Sequence, residues 1–145
     1  MILGVGIDLV SVDRIQELLL KFGTKFEQKI FTASEIKKAK NINVSGANGL
    51  AEALFYAKRF AAKEAFSKAV GFGIGKVIGF QDICIDNDKL GKPVIEISSE
   101  KLSFFQDHFK ATKIDINLSL SDEFIFEKTK LVKNYLAQAI VIISK

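Results

Sequence analysis

The chain has 145 residues, the length of one domain, and we expect residues 1–145 to form a single domain. Hydrophobic residues make up 48% and charged residues 26%, so the composition is that of a globular protein with a sizeable core. The net charge of +4 favours an acidic partner or a phosphorylated ligand. Because the cations form no long runs and no zinc-finger spacing is present, we expect no nucleic-acid partner.

The single cysteine, Cys84, excludes an internal disulfide, and its apolar neighbours favour a buried structural thiol over a nucleophile. The N-terminal run MILGVGIDLV lacks the basic leader and the small-residue cleavage site of a signal peptide. No run reaches the roughly 18 apolar residues that a membrane span requires. We therefore expect a cytoplasmic protein without a membrane partner.

The first elements along the chain are a buried strand and a helix. The apolar run ILGVGID predicts a strand over residues 2–8, in which Gly4 and Gly6 allow another backbone to approach closely. Asp13 is in position to cap a helix that the apolar spacing predicts over residues 14–22.

Three further helices are predicted before the middle of the chain. One lies around FEQKIF, and Ser34 is expected to cap the next, EIKKAK. Residues 41–48 are rich in turn formers and predict a loop. Residues 49–70 predict the longest helix, whose apolar stripe consists of Leu50, Leu54, Ala57, Ala61 and Ala65. These small residues allow the helix to pack closely against a sheet.

The second half of the chain predicts mainly strands. The glycines in GFGIGKVIG end the long helix, and strands follow at about 79–86 and 93–97. Ser98 or Ser99 caps a further predicted helix, and the last strands are expected at 113–120 and 135–143. The segment DEFIFEKTKLVKN between these strands fits no element clearly. The pattern predicts an α+β fold with a long helix packed against a small, mainly antiparallel sheet.

Two carboxylates occupy positions at which they can act as metal ligands. Asp8 ends a buried strand, where a charge needs a partner, a hydrogen bond or a metal. Its alternative role is to cap nearby backbone. Glu64 lies inside the long helix. Its alternative role is an exposed ion pair with Lys68, which would stabilise the helix by about 0.3–0.5 kcal/mol. Two oxygen ligands on rigid elements suit magnesium, but the spacing alone leaves these alternatives open.

Five motifs follow one another along the chain. They are GIDLVSVDRI at 6–15, FTASE at 31–35, RFAAKEAFSKAVG running into GFGIG at 59–75, GKP at 91–93 and SLS at 119–121. Together they resemble the signatures of the holo-acyl-carrier-protein synthases over nearly the whole chain. The resemblance implies the 4'-phosphopantetheinyl transferase fold. It also implies magnesium-dependent transfer of the phosphopantetheine arm of coenzyme A to a serine of apo acyl carrier protein in fatty-acid biosynthesis.

The resemblance also implies a set of site residues. Asp8 and Glu64 would hold Mg²⁺ on the coenzyme A diphosphate, with Lys68 beside it. The candidate catalytic residues are Glu64, Lys68 and Glu35, although Glu35 serves equally well as a residue that caps or braces the helices. The residues expected to contact coenzyme A are Arg59, Lys63, Lys68, Gly71, Gly73, Gly75, Pro93, Ser119 and Ser121.

Partners and assembly follow from the same resemblance. In this family the first helix docks on an acidic helix of the carrier protein. Arg14 matches the family arginine, and Lys21 lies two helical turns away on roughly the same side, so both are expected to steer an acidic partner. Alternatively, Arg14 and Lys21 simply form a solvent-exposed face of the helix and bind no partner. The family commonly forms homotrimers with the nucleotide site between subunits, which makes a homotrimer the expected assembly.

The sequence departs from the family pattern near its C-terminal end. Asp122 stands where many relatives carry a histidine that lies near coenzyme A, and the residues of 122–134 resemble an insertion. Phe72 occupies a position that is often threonine. Asp122 and the insertion motivate an alternative function, a non-catalytic module that binds coenzyme A or carrier protein.

Overall fold

The computed structural model describes residues 1–43, 49–127 and 132–145 of the chain. The helices are α1 (Val12–Phe22), α2 (Thr24–Ile30), α3 (Ala33–Asn43), α4 (Leu50–Val70) and α5 (Ser99–His108). The strands are β1 (Ile2–Ser11), β2 (Ile83–Asn87), β3 (Pro93–Ile97), β4 (Asp115–Glu127) and β5 (Val132–Ser144), with a 3-10 turn at Phe80–Asp82. This order confirms the predicted α+β fold.

Two antiparallel sheets form the β part of the molecule. The larger has the strand order β1-β5-β4, and β2 and β3 form a separate hairpin. Residues 122–127 and 132–134 of the segment that the sequence left unplaced extend the β4–β5 hairpin, in which pairing continues from Asp122 opposite Ala137 to Glu127 opposite Val132. Residues 128–131 lie outside the described residues. The sequence did not reveal this extension, because residues 121–125 are all exposed and lack the alternation of buried and exposed side chains that marks a half-buried strand.

Helix α4 lies directly on the edge strand β1. A Cβ atom on Gly4 would lie 2.0 Å from the carbonyl oxygen of Ala69, and one on Gly6 would lie 1.9 Å from that of Ala65. Real side-chain atoms do not come this close, so only glycine fits at either position. The close approach predicted for the two glycines is therefore present, and helix backbone contacts strand backbone.

The cap of α1 differs from the sequence prediction. Strand β1 continues to Ser11, whose hydroxyl accepts a hydrogen bond from the backbone N–H of Arg14 at 3.4 Å. Asp13 therefore lies within the first turn of the helix rather than at its cap. A carboxylate in the first turn is favourable there too, because it faces the positive end of the helix dipole.

The cap of α3 is displaced in the same direction. The backbone N–H of Glu35 donates to the Thr32 hydroxyl at 3.4 Å, and the N–H of Thr32 donates to the Glu35 carboxylate at 2.7 Å. This is a reciprocal capping box, so Ser34 is not the cap. Helix α3 also includes residues 41–43 of the predicted loop, and residues 44–48 lie outside the described residues.

The cap predicted for α5 is confirmed at Ser98, whose hydroxyl accepts from the N–H of Lys101 at 3.2 Å. Among the residues that the structure describes, no helix is long and apolar enough to cross a membrane.

Candidate active site

Asp8 lies on β1 and faces α4. Its side chain is 16% exposed, and its Oδ1 accepts a hydrogen bond from Lys68 Nζ at 2.8 Å. The same ammonium donates to the carbonyl oxygen of Ile7 at 3.1 Å. Lys68 on α4 is thus held against β1 by two acceptors, and Asp8 pairs with a side chain instead of capping nearby backbone.

Glu64 lies one helical turn before Lys68 on the same side of α4. Burial raises the pKa of its carboxyl group, the negative charge of Asp8 raises it further, and the positive charge of Lys68 opposes both effects. The two carboxylates are therefore close enough to repel each other. The sequence could not establish this proximity, which depends on the contact of β1 with α4 at Gly4 and Gly6.

The pair Asp8 and Glu64 has the chemistry of a partial magnesium site. Magnesium binds through one or two carboxylates and keeps water or substrate phosphates as its remaining ligands. Within the described ranges there is no group of three or more His, Cys, Asp or Glu residues that could hold a metal alone. A cation between the two carboxylates would relieve their repulsion, so these residues fit a magnesium ion that substrate phosphates help to bind.

A cleft of about 510 Å³ lies on another side of α4, and Arg59 and Pro93 line it. The Arg59 guanidinium carbon lies 3.3 Å from the centre of the Phe55 ring, and burial lowers the pKa of Arg59 to about 10. Its buried Nε atom has no hydrogen-bond partner among the residues that the structure describes. A buried cation with an unused donor suits an anionic ligand.

Lys58 and Leu120 also line this cleft. Lys58 Nζ donates to Asp122 Oδ1 at 2.9 Å, so the aspartate that departs from the family pattern pairs with a lysine of α4. Sequence reasoning missed Lys58, because nothing in the spacing of residues 58 and 122 relates them.

Ser119 and Ser121 do not join the cleft within this chain. Both are exposed on β4, and they alternate with Leu118 and Leu120, which face α4. Successive residues of a strand point to opposite faces of the sheet. The two serines therefore lie on the outer face.

The glycine segment after α4 is open to solvent. Gly71 ends the helix with φ 84°, and Gly73 follows with φ 67°, both in the left-handed region that favours glycine. At Gly71, Gly73 and Gly75, a Cβ atom would meet nothing within 4 Å. The expected approach of a nucleotide to this backbone is sterically free.

Two of the expected site residues, Lys63 and Glu35, are enclosed. Lys63 has no exposed side-chain surface, and its Nζ pairs with Glu35 Oε2 at 2.7 Å. The Glu35 side chain is 1% exposed. These contacts agree with the bracing role of Glu35, whereas contact of Lys63 with a coenzyme A phosphate and a catalytic role of Glu35 stay predictions.

Arg14 and Lys21 are both exposed on α1. They are seven residues apart, which places them on the same side of an ideal helix to within about 20°. The Lys21 ammonium lies 5.2 Å from the centre of the Phe22 ring. These two cations form one accessible edge of α1.

The Asp8–Glu64–Lys68 group and the Arg59 cleft lie on different sides of α4. Glu64 and Arg59 are five residues apart, which corresponds to about 140° around an ideal helix axis. One group adjoins β1, and the other adjoins β3 and β4. A ligand that used both would have to pass around the helix or lie between two copies of the chain.

A model of the 4'-phosphopantetheinyl transferase superfamily matches residues 4–127, and the chain belongs to this superfamily. Its sequence is 45% identical over 123 residues to a holo-acyl-carrier-protein synthase of Ehrlichia chaffeensis, covering 85% of this chain and 89% of that protein.

Two solved structures of the same class resemble the fold. The holo-acyl-carrier-protein synthase of Neisseria meningitidis is 36% identical, with a TM-score of 0.74 and coverage of 100% of both chains. The enzyme of Bacillus anthracis, crystallised in complex with CoA (3',5'-ADP), is 36% identical, with a TM-score of 0.68 and coverage of 100% of this chain and 99% of that one.

Proposed function

We propose that the protein transfers the 4'-phosphopantetheine group from coenzyme A to a serine of apo acyl carrier protein. The products are holo acyl carrier protein and adenosine 3',5'-bisphosphate, and the reaction serves fatty-acid biosynthesis. The names of the relatives support this function. The observation that carries it is that Asp8, Glu64 and Lys68, which come from two separate motifs, meet where β1 contacts α4.

The chemistry requires charge compensation at a diphosphate. The serine oxygen loses its proton to solvent and forms a bond to the phosphorus of the pantetheine phosphate, and the bond from that phosphorus to the adenosine bisphosphate oxygen breaks. Lys68 is proposed to donate its third N–H to a diphosphate oxygen, since hydrogen bonds to Asp8 and to the Ile7 carbonyl hold its ammonium beside the proposed metal site. Mg²⁺, held by Asp8 and Glu64, would stabilise negative charge on the leaving phosphate.

Coenzyme A is proposed to lie between two subunits of a homotrimer. The carboxylate group of one subunit and the Arg59–Pro93 cleft of its neighbour would then form one site, which explains why they lie on different sides of α4. The outer face of β1 exposes Val5, Ile7 and Leu9 by 53%, 50% and 58%. Such an apolar stripe favours burial against a second copy of the chain.

The assembly is tested by light scattering with size-exclusion chromatography. Ile7→Lys should dissociate the trimer and abolish transfer, because it places a charge in the proposed contact. Leu90→Lys is the matched control, since Leu90 is 95% exposed in the β2–β3 turn. A wild-type monomer with full activity would contradict the shared site.

The carrier protein is proposed to dock on the exposed edge of α1. Arg14→Glu should raise the KM for apo carrier protein and leave the KM for coenzyme A unchanged, because Arg14 lies on this edge and not in the Arg59 cleft. Lys89→Glu, an equal charge change in the exposed β2–β3 turn, is the control. Equal increases in the KM for carrier protein in the two variants would contradict docking on α1, because the net charge of the protein alone would then explain the effect.

The direct test of function is incubation with coenzyme A, Mg²⁺ and the cognate apo carrier protein, followed by intact mass spectrometry. The carrier protein should gain the mass of phosphopantetheine. Asp8→Ala and Glu64→Ala should each abolish the gain in folded protein. If the wild-type protein produces no mass gain on the carrier protein, the proposed transferase activity is refuted.

A non-catalytic module that binds coenzyme A is the second candidate, and the Lys58–Asp122 pair favours it. The pair occupies a lysine of the cleft that would otherwise be available to a phosphate. Tight binding of coenzyme A by titration calorimetry, without a mass gain on the carrier protein, would identify this function.

A further inference from the structure

Glu35 and Lys63 form an enclosed ion pair between α3 and α4. Lys63 Nζ donates to Glu35 Oε2 at 2.7 Å, to the carbonyl oxygen of Ile30 at 2.8 Å and to that of Phe80 at 3.0 Å. These three acceptors use all three donors of the ammonium. They lie on three different elements, so Lys63 connects α4 to the ends of α2, α3 and the 3-10 turn.

Glu35 extends the same connection to the second sheet. Its Oε2 accepts from the N–H of Thr32 at 2.7 Å, and its Oε1 accepts from the N–H of Ile85 on β2 at 3.0 Å. Both carboxylate oxygens are thus engaged, and the side chains of Lys63 and Glu35 are 0% and 1% exposed, so the pair is enclosed by the elements around it. Its role must therefore be exerted through the elements that it joins.

Lys63 immediately precedes Glu64 on a continuous helix. Successive residues of a helix are separated by about 100° around its axis, so a fixed direction for Lys63 fixes the direction of Glu64. The Ile85 N–H donates to Glu35 on α3, so β2 is linked to α4 through the ion pair. Strand β2 ends at Asn87, which lines the Arg59 cleft. The pair thus restrains both groups of candidate site residues.

We infer that Glu35 and Lys63 are a positioning pair, which holds α4 in the rotation that directs Glu64 toward Asp8. This inference rests on the proposed function. In this role neither residue touches the substrate, in contrast to the coenzyme A contact expected of Lys63 and the catalytic role expected of Glu35. Residues that orient metal ligands characteristically change metal affinity by about 10–100-fold when they are mutated.

The test separates positioning from stability. In the double variant E35L/K63M, apolar side chains of similar volume replace both charges, so the protein should fold, while the directional bonds to Ile30, Phe80 and Ile85 are lost. We expect Mn²⁺ binding in the presence of coenzyme A, measured by calorimetry, to weaken at least about tenfold. Melting temperature is measured in parallel.

Lys40→Met is the matched control. Lys40 joins Glu27 and Glu52 in another carboxylate–lysine cluster that contacts α4, and its loss should leave Mn²⁺ affinity unchanged. Unchanged Mn²⁺ affinity in folded E35L/K63M would overturn the inference. An equal loss of affinity in Lys40→Met would overturn it as well, because any loosening of α4 would then have the same effect.

Glu35→Asp provides the test if the double variant does not fold. It keeps the negative charge but shortens the side chain, so the carboxylate cannot hold Lys63 and the Ile85 N–H at their present distances. Wild-type Mn²⁺ affinity in this variant would overturn the inference. Mn²⁺ binding by the wild-type protein without transfer would count against the proposed function alone, whereas no Mn²⁺ binding would remove the metal role and the positioning role together.

Discussion

Lys58 Nζ and Asp122 Oδ1 are 2.9 Å apart, and this ion pair joins α4 to the extended β4–β5 hairpin. The side chains are 32% and 36% exposed, so solvent screens their attraction. Lys58 lines the cleft that contains Arg59, and Asp122 partly neutralises the charge of Lys58 there.

Asp122→Ala should leave transfer intact and lower the KM for coenzyme A, because it frees Lys58 to meet a phosphate. The free energy of unfolding should fall by less than about 1 kcal/mol, as expected for an exposed pair. Steady-state kinetics and urea denaturation measure the two effects. Loss of transfer as complete as in Asp8→Ala would show that Asp122 itself is needed.

Gly6→Ala should destabilise the protein by about 1–3 kcal/mol or more, since its Cβ would meet the Ala65 carbonyl at 1.9 Å. Denaturant unfolding measures the change. Gly79→Ala is the control, because its Cβ would lie 3.5 Å from the nearest atom, Asp82 Oδ2, and its backbone has φ −103°. Equal stabilities of the two variants would refute the close contact.

Arg59→Lys should raise the KM for coenzyme A by more than it lowers kcat. Lysine keeps a positive charge but loses the planar group that stacks on Phe55 and the unpaired Nε donor. Phe55→Leu removes only the ring and should give a smaller increase. A kcat effect without a KM effect would place Arg59 in the chemical step instead of in coenzyme A binding.

Asp86 should titrate below its ordinary pKa until its partner is removed. A side-chain hydrogen bond from Lys38 and a backbone hydrogen bond from Asn87 both lower the pKa of Asp86. The stability that this shift contributes is present above pH 3.8 and is lost as the pH falls through the lowered pKa. Carboxyl NMR should show the pKa rising in Lys38→Met, and an unchanged titration would contradict the pairing.

Lys63→Met alone should cost about 3–5 kcal/mol of stability, because it leaves the buried Glu35 charge unpaired. E35L/K63M should recover most of this loss, so the two substitutions should be strongly non-additive. Chemical denaturation of the single and double variants gives the coupling free energy. If the losses in the free energy of unfolding are additive, the two charges contribute to stability independently of each other.

The sequence predicted most elements, because helix periodicity and glycine positions are local signals. At both misplaced caps, Asp13 and Ser34, a serine or threonine two positions earlier is the cap instead, at Ser11 and Thr32. Local propensity did not distinguish these neighbours. At α1 tertiary pairing decided the outcome, since β1 extends along β5 as far as Ser11.

The candidate site was predictable only in part. The motifs selected Asp8, Glu64 and Lys68, but their proximity depends on how β1 contacts α4. Lys63 carries the same charge as Lys68 and lies in the same motif, yet it is enclosed while Lys68 is half exposed. The difference comes from Glu35 on a separate helix, which helical spacing within α4 could not reveal.

The backbone contact of β1 with α4 at Gly4 and Gly6 also determines how the site responds to change elsewhere. No side chain lies between the strand and the helix there, so no rotamer change can alter their separation. Substitutions that enlarge or shrink the core on the far side of α4 would alter stability before they alter the distance between Asp8 and Glu64. The spacing of the candidate site is thereby set by backbone contact and not by the rotamers of core side chains.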